Sequence, residues 1–196
     1  MSDPSRHDRI VRRLFDQLYN RPIIDNVDRG VYVEYMVELA LQETDARWEC
    51  MPGWSLWDLE HRDSGARIEV KQSAKRQTWS SYLQSAVSAP RFSIAPTKWY
   101  WDNATGIWFE TEPQRWADLY IFAYHPKDNE DIADHRRTEQ WEFYLVPELD
   151  LPRSQKRIGL NPVRKIGSRC RFEELAGNVT RVISNLPRLK ADPPPV

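Results

Sequence analysis

Two helices are predicted at the start of the chain by the spacing of its apolar side chains. Between residues 6 and 19, apolar side chains recur every three or four positions, a spacing typical of an amphipathic helix. Residues 29–42 are apolar almost all round, which indicates a buried helix with Asp28 as its N-cap. Beyond its first residue, this second helix carries only two charged side chains, Glu34 and Glu38.

Strand-like segments separated by turn signals follow the two helices. Residues 46–50, 55–61 and 66–73 are predicted to form three short strands, because proline, glycine and aspartate mark turns between them. Residues 117–124 and 141–146 predict two buried strands. Residues 99–101 and 107–109 flank a further turn and indicate an aromatic-rich β-hairpin insertion.

The remaining segments complete a mixed α/β pattern. Helices are predicted over residues 77–89 and 172–186, and the polar residues 125–138 predict a long loop. Because helices and strands alternate in part, we expect one domain over residues 1–190, with a central mixed β-sheet flanked by helices on both faces. The proline-rich residues 191–196 are expected to be a disordered tail.

Composition narrows the class of protein. Cys50 and Cys170 lie far apart and the four histidines are scattered, which argues against a zinc site and against a disulfide framework. No segment approaches the roughly 20 apolar residues that span a membrane. The first residues also lack the apolar core of a signal peptide. We therefore expect a soluble, cytoplasmic protein with no membrane partner.

The formal net charge of −1 conceals an uneven distribution of charge. Basic side chains concentrate within residues 71–76, 153–157 and 164–171, and acidic side chains within residues 128–134. A nucleic-acid-binding protein is expected to have a basic face, and a near-neutral total is compatible with one. The alternative is that each cluster solvates an ordinary surface.

Two acidic side chains and a lysine are predicted to share one face of the hairpin that the second and third strands form. With Ser64-Gly65 as a two-residue loop, Asp58 faces Lys71 and Glu60 faces Glu69. Side chains alternate across a strand, so Asp58, Glu69 and Lys71 fall on one face. The opposite face collects the apolar side chains Trp57, Leu59, Ile68 and Val70.

This triplet (Asp58, Glu69 and Lys71) has the chemistry needed for phosphodiester hydrolysis. Two neighbouring carboxylates repel each other, and a hard divalent cation, Mg²⁺ or Mn²⁺, removes that repulsion. Such an ion polarises a phosphate oxygen and lowers the pKa of a bound water. The lysine either orients that water or stabilises charge in the transition state. The alternative is a surface ion pair, because about one acid-x-Lys match is expected by chance in a chain this charged.

The acidic side chains of the second helix point to the same region. Glu34 and Glu38 are four residues apart and therefore share a helical face. Acidic side chains on a mostly buried helix meet either solvent or a site that needs anionic ligands. The helix directly precedes the strands that carry the triplet, which favours the second explanation.

The arrangement resembles the PD-(D/E)xK nuclease superfamily, which has the restriction-endonuclease-like fold. The resemblance rests on Asp58, ten intervening residues and then Glu69-Val70-Lys71, on a predicted hairpin followed by a predicted helix. Gly30-x-x-x-Glu34 is similar to the additional N-terminal acid of the family. The likeness covers about residues 29–124, and it departs from the family pattern at Trp57, where the motif has proline.

The resemblance implies a metal-dependent nuclease that acts on DNA. Asp58 and Glu69 would bind Mg²⁺ or Mn²⁺, the Val70 carbonyl would join them, and Lys71 would assist the attacking water. Glu34 would be a further catalytic and metal-binding acid, with Glu38 as the alternative. A role in restriction, defence, recombination or repair would fit such an enzyme.

Two groups of side chains around the triplet are candidates for binding nucleic acid. Polar and basic side chains that follow the motif are suited to phosphates, or they form an ordinary strand-to-helix connection; they are Gln72, Ser73, Lys75, Arg76 and Gln77. Aromatic side chains of the hairpin insertion either stack on unpaired nucleotides or pack a small sheet or subunit interface; they are Trp99, Trp101, Trp108 and Trp116.

The leading hypothesis is a DNA nuclease, acting as a homodimer or with a partner subunit that supplies specificity. An alternative keeps the fold without catalysis, as a nucleic-acid-binding or partner-binding protein. A third hypothesis is an interaction module that binds some other ligand through its tryptophan-rich hairpin.

Overall fold

The computed structural model describes residues 5–80, 89–102, 105–129, 131–187 and 189 of the 196-residue chain. The described residues contain four α-helices, α1 Arg6–Leu18, α2 Asn26–Gln42, α3 Leu160–Ile166 and α4 Leu175–Ser184. The strands are β1 Trp48–Cys50, β2 Leu59–His61, β3 Arg67–Ala74, β4 Arg91–Ser93, β5 Thr97–Asp102, β6 Ile107–Gln114, β7 Leu119–His125, β8 Glu142–Pro147, β9 Arg157–Gly159 and β10 Ser168–Cys170. Short 3₁₀ helices cover Thr138–Gln140, Glu148–Asp150 and Phe172–Glu174.

A six-stranded mixed sheet forms the centre of the molecule, as predicted. Its strands lie in the order β1-β2-β3-β7-β8-β10. The central pair, β3 and β7, is parallel, whereas every other neighbouring pair in this sheet is antiparallel. All seven residues of β7 are buried, which explains the continuous apolar run in the sequence at this position.

The sheet carries a separate apolar core on each of its faces. Helices α2 and α4 pack on one face, against Ile68 and Val70 of β3. Helix α3 and the two-stranded sheet of β4 and β9 pack on the other face, against Tyr120 and Phe122 of β7. Helices thus cover both faces of a mixed α/β sheet.

Helix α2 begins earlier, and is less buried, than its pattern predicts. Asp25 is the N-cap, and its side chain accepts a hydrogen bond of 3.3 Å from the Val27 N–H. Asp28 lies instead in the first turn, where its negative charge interacts favourably with the positive end of the helix dipole. Only one side of α2 meets the sheet, so apolar side chains spaced four residues apart stay exposed on the other side; they are Val27, Val31, Tyr35 and Leu39.

Helix α1 is confirmed, but none of its residues is buried. Ser5 and Asp8 form a capping box at its start, in which each side chain accepts a hydrogen bond from the other residue's backbone N–H. These N–H groups have no partner within the helix itself. Its apolar face remains exposed among the described residues and consists of Ile10, Val11, Leu14 and Phe15. Tyr19, just beyond the helix, stacks on Tyr32 of α2 at 6.0 Å between ring centroids.

Several short elements were not predicted, and some boundaries were wrong. Strands β4, β9 and β10 and helix α3 have three to seven residues each, too few to show a periodic pattern. The aromatic hairpin is confirmed as β5–β6 and is longer than predicted. The C-terminal helix is confirmed only as α4, and Phe172–Glu174 is a 3₁₀ turn.

Two sequence predictions fall largely on residues outside the described part of the chain. They are the helix over residues 77–89, of which residues 81–88 are not described, and the tail at residues 191–196. Within the residues that the structure covers, no helix combines the length and the apolar character needed to cross a lipid bilayer.

Candidate active site

The turn between β2 and β3 determines which side chains meet. Glu60 pairs with Arg67 and not with Glu69, so the predicted register is wrong by two residues. The turn comprises residues 62–65, because the His61 N–H bonds to the carbonyl of residue 66 at 2.9 Å and closes a longer loop. A shift by an even number of residues keeps the side chains within the paired strands on their predicted faces. Glu69 and Lys71 therefore share a face, and Asp58 stays with them because it is bonded to the Val70 N–H.

Hydrogen bonds hold the three side chains of the triplet against strand β3. The Lys71 ammonium forms a salt bridge with the Glu69 carboxylate, two residues away on the same face. Asp58 precedes β2, and its Oδ2 accepts a hydrogen bond of 2.6 Å from the Val70 N–H. The carboxyl of Asp58 is thereby fixed to the strand that carries the other two groups.

Aromatic neighbours make the surroundings of Glu69 and Lys71 apolar. In the parallel pair β3–β7, Glu69 lies beside Tyr120 and Lys71 beside Phe122. Both aromatic side chains are buried in the core on that face. Charges held in such surroundings lose solvation by water, so the two groups depend on each other for stabilisation.

The structure distinguishes the two acidic side chains of α2. Glu38 accepts a hydrogen bond of 2.7 Å from the Cys50 N–H and so ties α2 to β1. Glu34 lies one turn nearer the start of α2 and lines a cleft of about 390 Å³ together with Asp58. The helix acid beside the triplet is therefore Glu34.

The three carboxyls destabilise one another's ionised forms. Burial raises the pKa of Glu69 to about 7, the charge of Asp58 adds to the rise, and Lys71 opposes it. Burial likewise raises the pKa of Glu34 to about 7, again with Asp58 adding and Lys71 opposing. The pKa of Asp58 is raised by burial, against the effects of Lys71 and the Val70 N–H.

The pKa of Lys71 moves in the direction opposite to the one that burial alone would produce. Burial by itself lowers the pKa of an ammonium, but the charges of Glu69 and Asp58 outweigh burial and leave the pKa of Lys71 above its usual value. Lys71 therefore stays protonated at neutral pH. One ammonium faces three carboxyls, which leaves an excess of negative charge when all are ionised.

The donor atoms at the site suit a hard divalent cation. Asp58, Glu69 and Glu34 offer carboxylate oxygens, the ligands that Mg²⁺ and Mn²⁺ prefer, and burial is the main cause of their raised pKa values. As the side chains stand, no three His, Cys, Asp or Glu residues in the described chain are close enough together to hold a metal ion.

The polar residues after the motif are partly engaged in holding the fold together. Arg29 of α2 is completely buried and donates to Gln72 Oε1 at 2.7 Å and to Gln77 Oε1 at 2.9 Å. These bonds connect the start of α2 to the end of β3. Lys75 forms a salt bridge with Asp128. The sequence signal for this connection was Arg29 itself, a charge at the start of an apolar helix.

Ser73 and Arg76 lie half-buried beside this connection. Ser73 is two residues beyond Lys71 on the same face of β3 and pairs with Tyr124 of β7. Lys71 and Ser73 thus form a polar line along β3 that leads away from the carboxyls.

Trp57 lies on the opposite face of the sheet from the predicted one. It packs in the core that contains Tyr120 and Phe122, not with Leu59 and Ile68. The Arg67 guanidinium sits over its ring at 3.9 Å from the centroid. Strand β2 begins only at Leu59, so the alternation of a strand does not extend back to Trp57.

Tryptophans line a second cleft, of about 370 Å³, that contains the two principal carboxyls. Asp58 and Glu69 share this cleft with the indoles of Trp54, Trp99 and Trp108. Trp54 also lines the cleft of Glu34, so it stands between the two. Sequence reasoning did not single out Trp54, although its position beside the turn before Asp58 was a signal.

A third cleft, of about 610 Å³, is lined by basic side chains. Arg91, Arg157 and Arg164 surround it, together with Tyr124. Arg164 is partly neutralised by Glu142 at 3.3 Å, whereas Arg91 and Arg157 are exposed and have no ion-pair partner within the described residues. Two of the basic clusters seen in the sequence thus contribute to one surface.

A scan of the chain against protein-family models finds no match, and a search among curated proteins finds none either.

Proposed function

We propose that this chain is a metal-dependent nuclease that hydrolyses phosphodiester bonds in DNA, with a restriction-endonuclease-like fold. The observation that carries the proposal is the set of half-buried carboxyls of Asp58, Glu69 and Glu34, whose pKa values are raised, around the Lys71 ammonium. Burying this much like charge costs stability, and a site that works with a divalent cation gives that cost a purpose. The resemblance to the PD-(D/E)xK superfamily points to the same activity.

Each side chain of the site has a distinct role in this proposal. Asp58, Glu69 and Glu34, with the Val70 carbonyl, would hold Mg²⁺ or Mn²⁺. When bound, the ion supplies polarisation of a phosphate oxygen and a more acidic water. Because the pKa of Lys71 is raised, its ammonium acts as a cation that orients water or stabilises negative charge on the phosphate, and not as a base.

Basic side chains on the same face of the sheet suit the DNA backbone. The cleft of Arg91, Arg157 and Arg164 lies beside Tyr124, and Tyr124 pairs with Ser73, four residues beyond Glu69. At about 3.3 Å of rise per residue, this places Tyr124 about 13 Å along the strands from the carboxyls. Exposed arginines at that distance suit phosphates that flank the cleaved one.

One observation favours a second candidate, a nucleic-acid-binding protein without catalysis. The salt bridge between Lys71 and Glu69 neutralises a carboxylate that a metal ion would need. If that pair is only structural, the same surface would bind DNA and leave it intact.

Cleavage and metal binding together separate the two candidates. We would incubate supercoiled, linear, single-stranded and branched DNA with Mg²⁺ or Mn²⁺, and compare wild type with Glu69→Gln and the control Glu49→Gln, an exposed acid on β1. If the chain is a nuclease, wild type and Glu49→Gln should show metal-dependent cleavage and Glu69→Gln should not. Calorimetric titration with Mn²⁺ should show binding that weakens in Glu69→Gln. DNA binding with neither cleavage nor Mn²⁺ binding would favour the second candidate.

A further inference from the structure

The tryptophan-lined cleft beside Asp58 and Glu69 presents aromatic surface to solvent. Trp54 is 74% exposed, Trp99 46% and Trp108 45%. Large aromatic side chains are normally buried, because each carries 150–250 Å² of surface. Three exposed indoles around one cleft that also contains two carboxyls require an explanation beyond the packing of the core.

Burial separates two groups of aromatic side chains in this region. Trp116 is 3% exposed and Tyr100 is 7% exposed, and their rings meet at 6.4 Å between centroids, which fastens the hairpin β5–β6 to the body. Packing is therefore performed by this buried pair. Trp54, Trp99 and Trp108 keep much of their surface exposed, although the Lys98 ammonium lies 5.3 Å from the centroid of the Trp99 ring.

The exposed rings are arranged edge to face. The Trp54 and Trp108 centroids are 5.5 Å apart at an interplanar angle of 82°, and those of Trp108 and Trp101 are 5.6 Å apart at 61°. In an edge-to-face contact the edge of one ring covers one face of the other, so the ring that presents its edge keeps its flat faces free of that partner. A planar ligand can stack on such a face.

Trp54 holds a backbone conformation that is costly for a tryptophan. Its φ is 75°, and it is the only non-glycine residue with positive φ in the described chain. Strain of this kind persists at ligand sites, where it places a side chain in a position that folding alone would not select. Here it places the indole between the two clefts that contain the acidic side chains.

We infer that the cleft lined by Trp54, Trp99 and Trp108 holds an unpaired base next to the cleaved phosphate, stacked on one indole and bounded edge-on by another, which makes single-stranded DNA the substrate class. This inference rests on the proposed nuclease function. A cleft of about 370 Å³ suits one small planar ligand. A base within a duplex is already stacked on both sides and offers no face, whereas an unpaired base offers two.

Binding without cleavage tests the inference independently of catalysis. We would titrate end-labelled oligo(dT) and a duplex of equal length with the protein in EDTA and follow fluorescence anisotropy. Wild type should bind the single strand more tightly than the duplex. Trp54→Ala and Trp108→Ala should each weaken oligo(dT) binding by about 10-fold or more, since stacking on aromatic side chains contributes strongly per base. Trp54→Phe, which keeps an aromatic face, should recover most of the loss.

A matched control is Trp79→Ala, which removes an exposed tryptophan outside the cleft. It should bind oligo(dT) like wild type, and circular dichroism should show that every variant is folded. Equal oligo(dT) binding by wild type, Trp54→Ala and Trp108→Ala would overturn the inference, as would preference for the duplex or failure of wild type to bind oligo(dT). If wild type and the tryptophan variants cleave duplex DNA equally well, the stacking inference is overturned while the proposed nuclease function is supported. Tryptophan-dependent binding without cleavage in Mg²⁺ or Mn²⁺ would support base stacking and refute the nuclease.

Discussion

The backbone N–H of Val70 donates a hydrogen bond of 2.6 Å to Oδ2 of Asp58. This bond fixes a carboxyl that precedes β2 to the middle of β3, between Glu69 and Lys71. Substitution can therefore separate the hydrogen bond of Asp58 from its charge. Asparagine keeps an acceptor oxygen and loses the charge, whereas alanine loses both.

We expect Asp58→Asn to fold with a free energy of unfolding in EDTA equal to or above that of wild type. The variant keeps the acceptor for Val70 and removes a buried charge. Asp58→Ala leaves that donor unsatisfied and should cost about 1–3 kcal/mol. Both variants should lose metal-dependent cleavage. Urea unfolding at pH 7.5 measures the difference, and equal stability losses in the two variants would contradict this account of the bond.

We expect Glu69→Gln to gain stability relative to wild type as the pH rises from 5 to 8. The pKa of Glu69 is about 7 in the folded protein against an ordinary value of 4.5. The protonated Glu69 of wild type therefore adds to the free energy of unfolding below about pH 4.5, and this stabilisation is lost as the pH rises through 7. The gap in free energy of unfolding should widen between pH 5 and 7 and level off above about pH 8, where Glu69 is ionised in both the folded and the unfolded protein.

The difference between variant and wild type is the quantity to measure in that experiment. Burial lowers the pKa values of His125 and His135, and these histidines act on stability in the opposite direction below about pH 6.5. Their effect is common to both proteins and cancels in the difference. A gap that does not change with pH would refute the raised pKa of Glu69. A fixed Mn²⁺ concentration that saturates wild type should stabilise wild type more than Glu69→Gln and so narrow the gap.

We expect Lys71→Met to separate metal binding from catalysis. Cleavage should fall by about 100-fold or more, because a cation that stabilises developing charge is lost. Affinity for Mn²⁺ should stay constant or rise, because the ammonium no longer competes for Glu69. Lys165→Met, which alters an exposed residue of α3, serves as the control for both measurements. A parallel loss of Mn²⁺ binding and cleavage would show that Lys71 acts by holding the site together.

Two glycine substitutions should change stability in opposite directions. Gly65 has φ +66° in the turn between β2 and β3, and Gly65→Ala should cost about 1 kcal/mol, because an L side chain disfavours that conformation. Gly30 lies inside α2, where an added Cβ meets nothing within 4 Å. Gly30→Ala should therefore stabilise the protein by about 0.5–1 kcal/mol. Thermal unfolding of both variants checks the pair, and a stabilising Gly65→Ala would contradict the turn geometry.

We expect Trp54→Gly to stabilise the protein or leave its stability unchanged while it weakens oligo(dT) binding. Glycine adopts positive φ without strain, whereas tryptophan at φ 75° costs about 1–2 kcal/mol. That gain offsets the larger entropy of glycine in the unfolded chain. Urea unfolding and anisotropy measure the two effects. A clear loss of stability would show that the exposed indole packs more strongly than its accessibility indicates.

The sequence predicted the grouping of Asp58, Glu69 and Lys71 although the predicted turn was wrong. Side chains alternate with a period of two, so the face on which each one lies changes only with an odd register shift, and this shift was even. The prediction for Trp57 failed because the alternation of β2 does not extend back to it. Asp58 also precedes β2, and it stays with the triplet because its carboxyl is bonded to the Val70 N–H. Alternation thus predicted faces inside regular strands, and beyond their ends the face depended on individual contacts.

Contacts between distant parts of the chain were beyond sequence reasoning. The bond of Arg29 to Gln72 joins residues 43 positions apart, and no local pattern specifies such a pair. The choice between Glu34 and Glu38 needed the position of Cys50, whose N–H binds Glu38. The role of Trp54 depended on its exposure and on its distance from Trp108.

Helix α1 has no buried residue, so core packing contributes nothing to keeping it helical. Its helical state depends on local terms, the capping box of Ser5 and Asp8 and the intrinsic preferences of its side chains. An isolated helix of 13 residues is marginal in water. Among the described residues helix α1 thus has only surface contacts to hold it, and we expect it to fray and re-form more readily than the sheet.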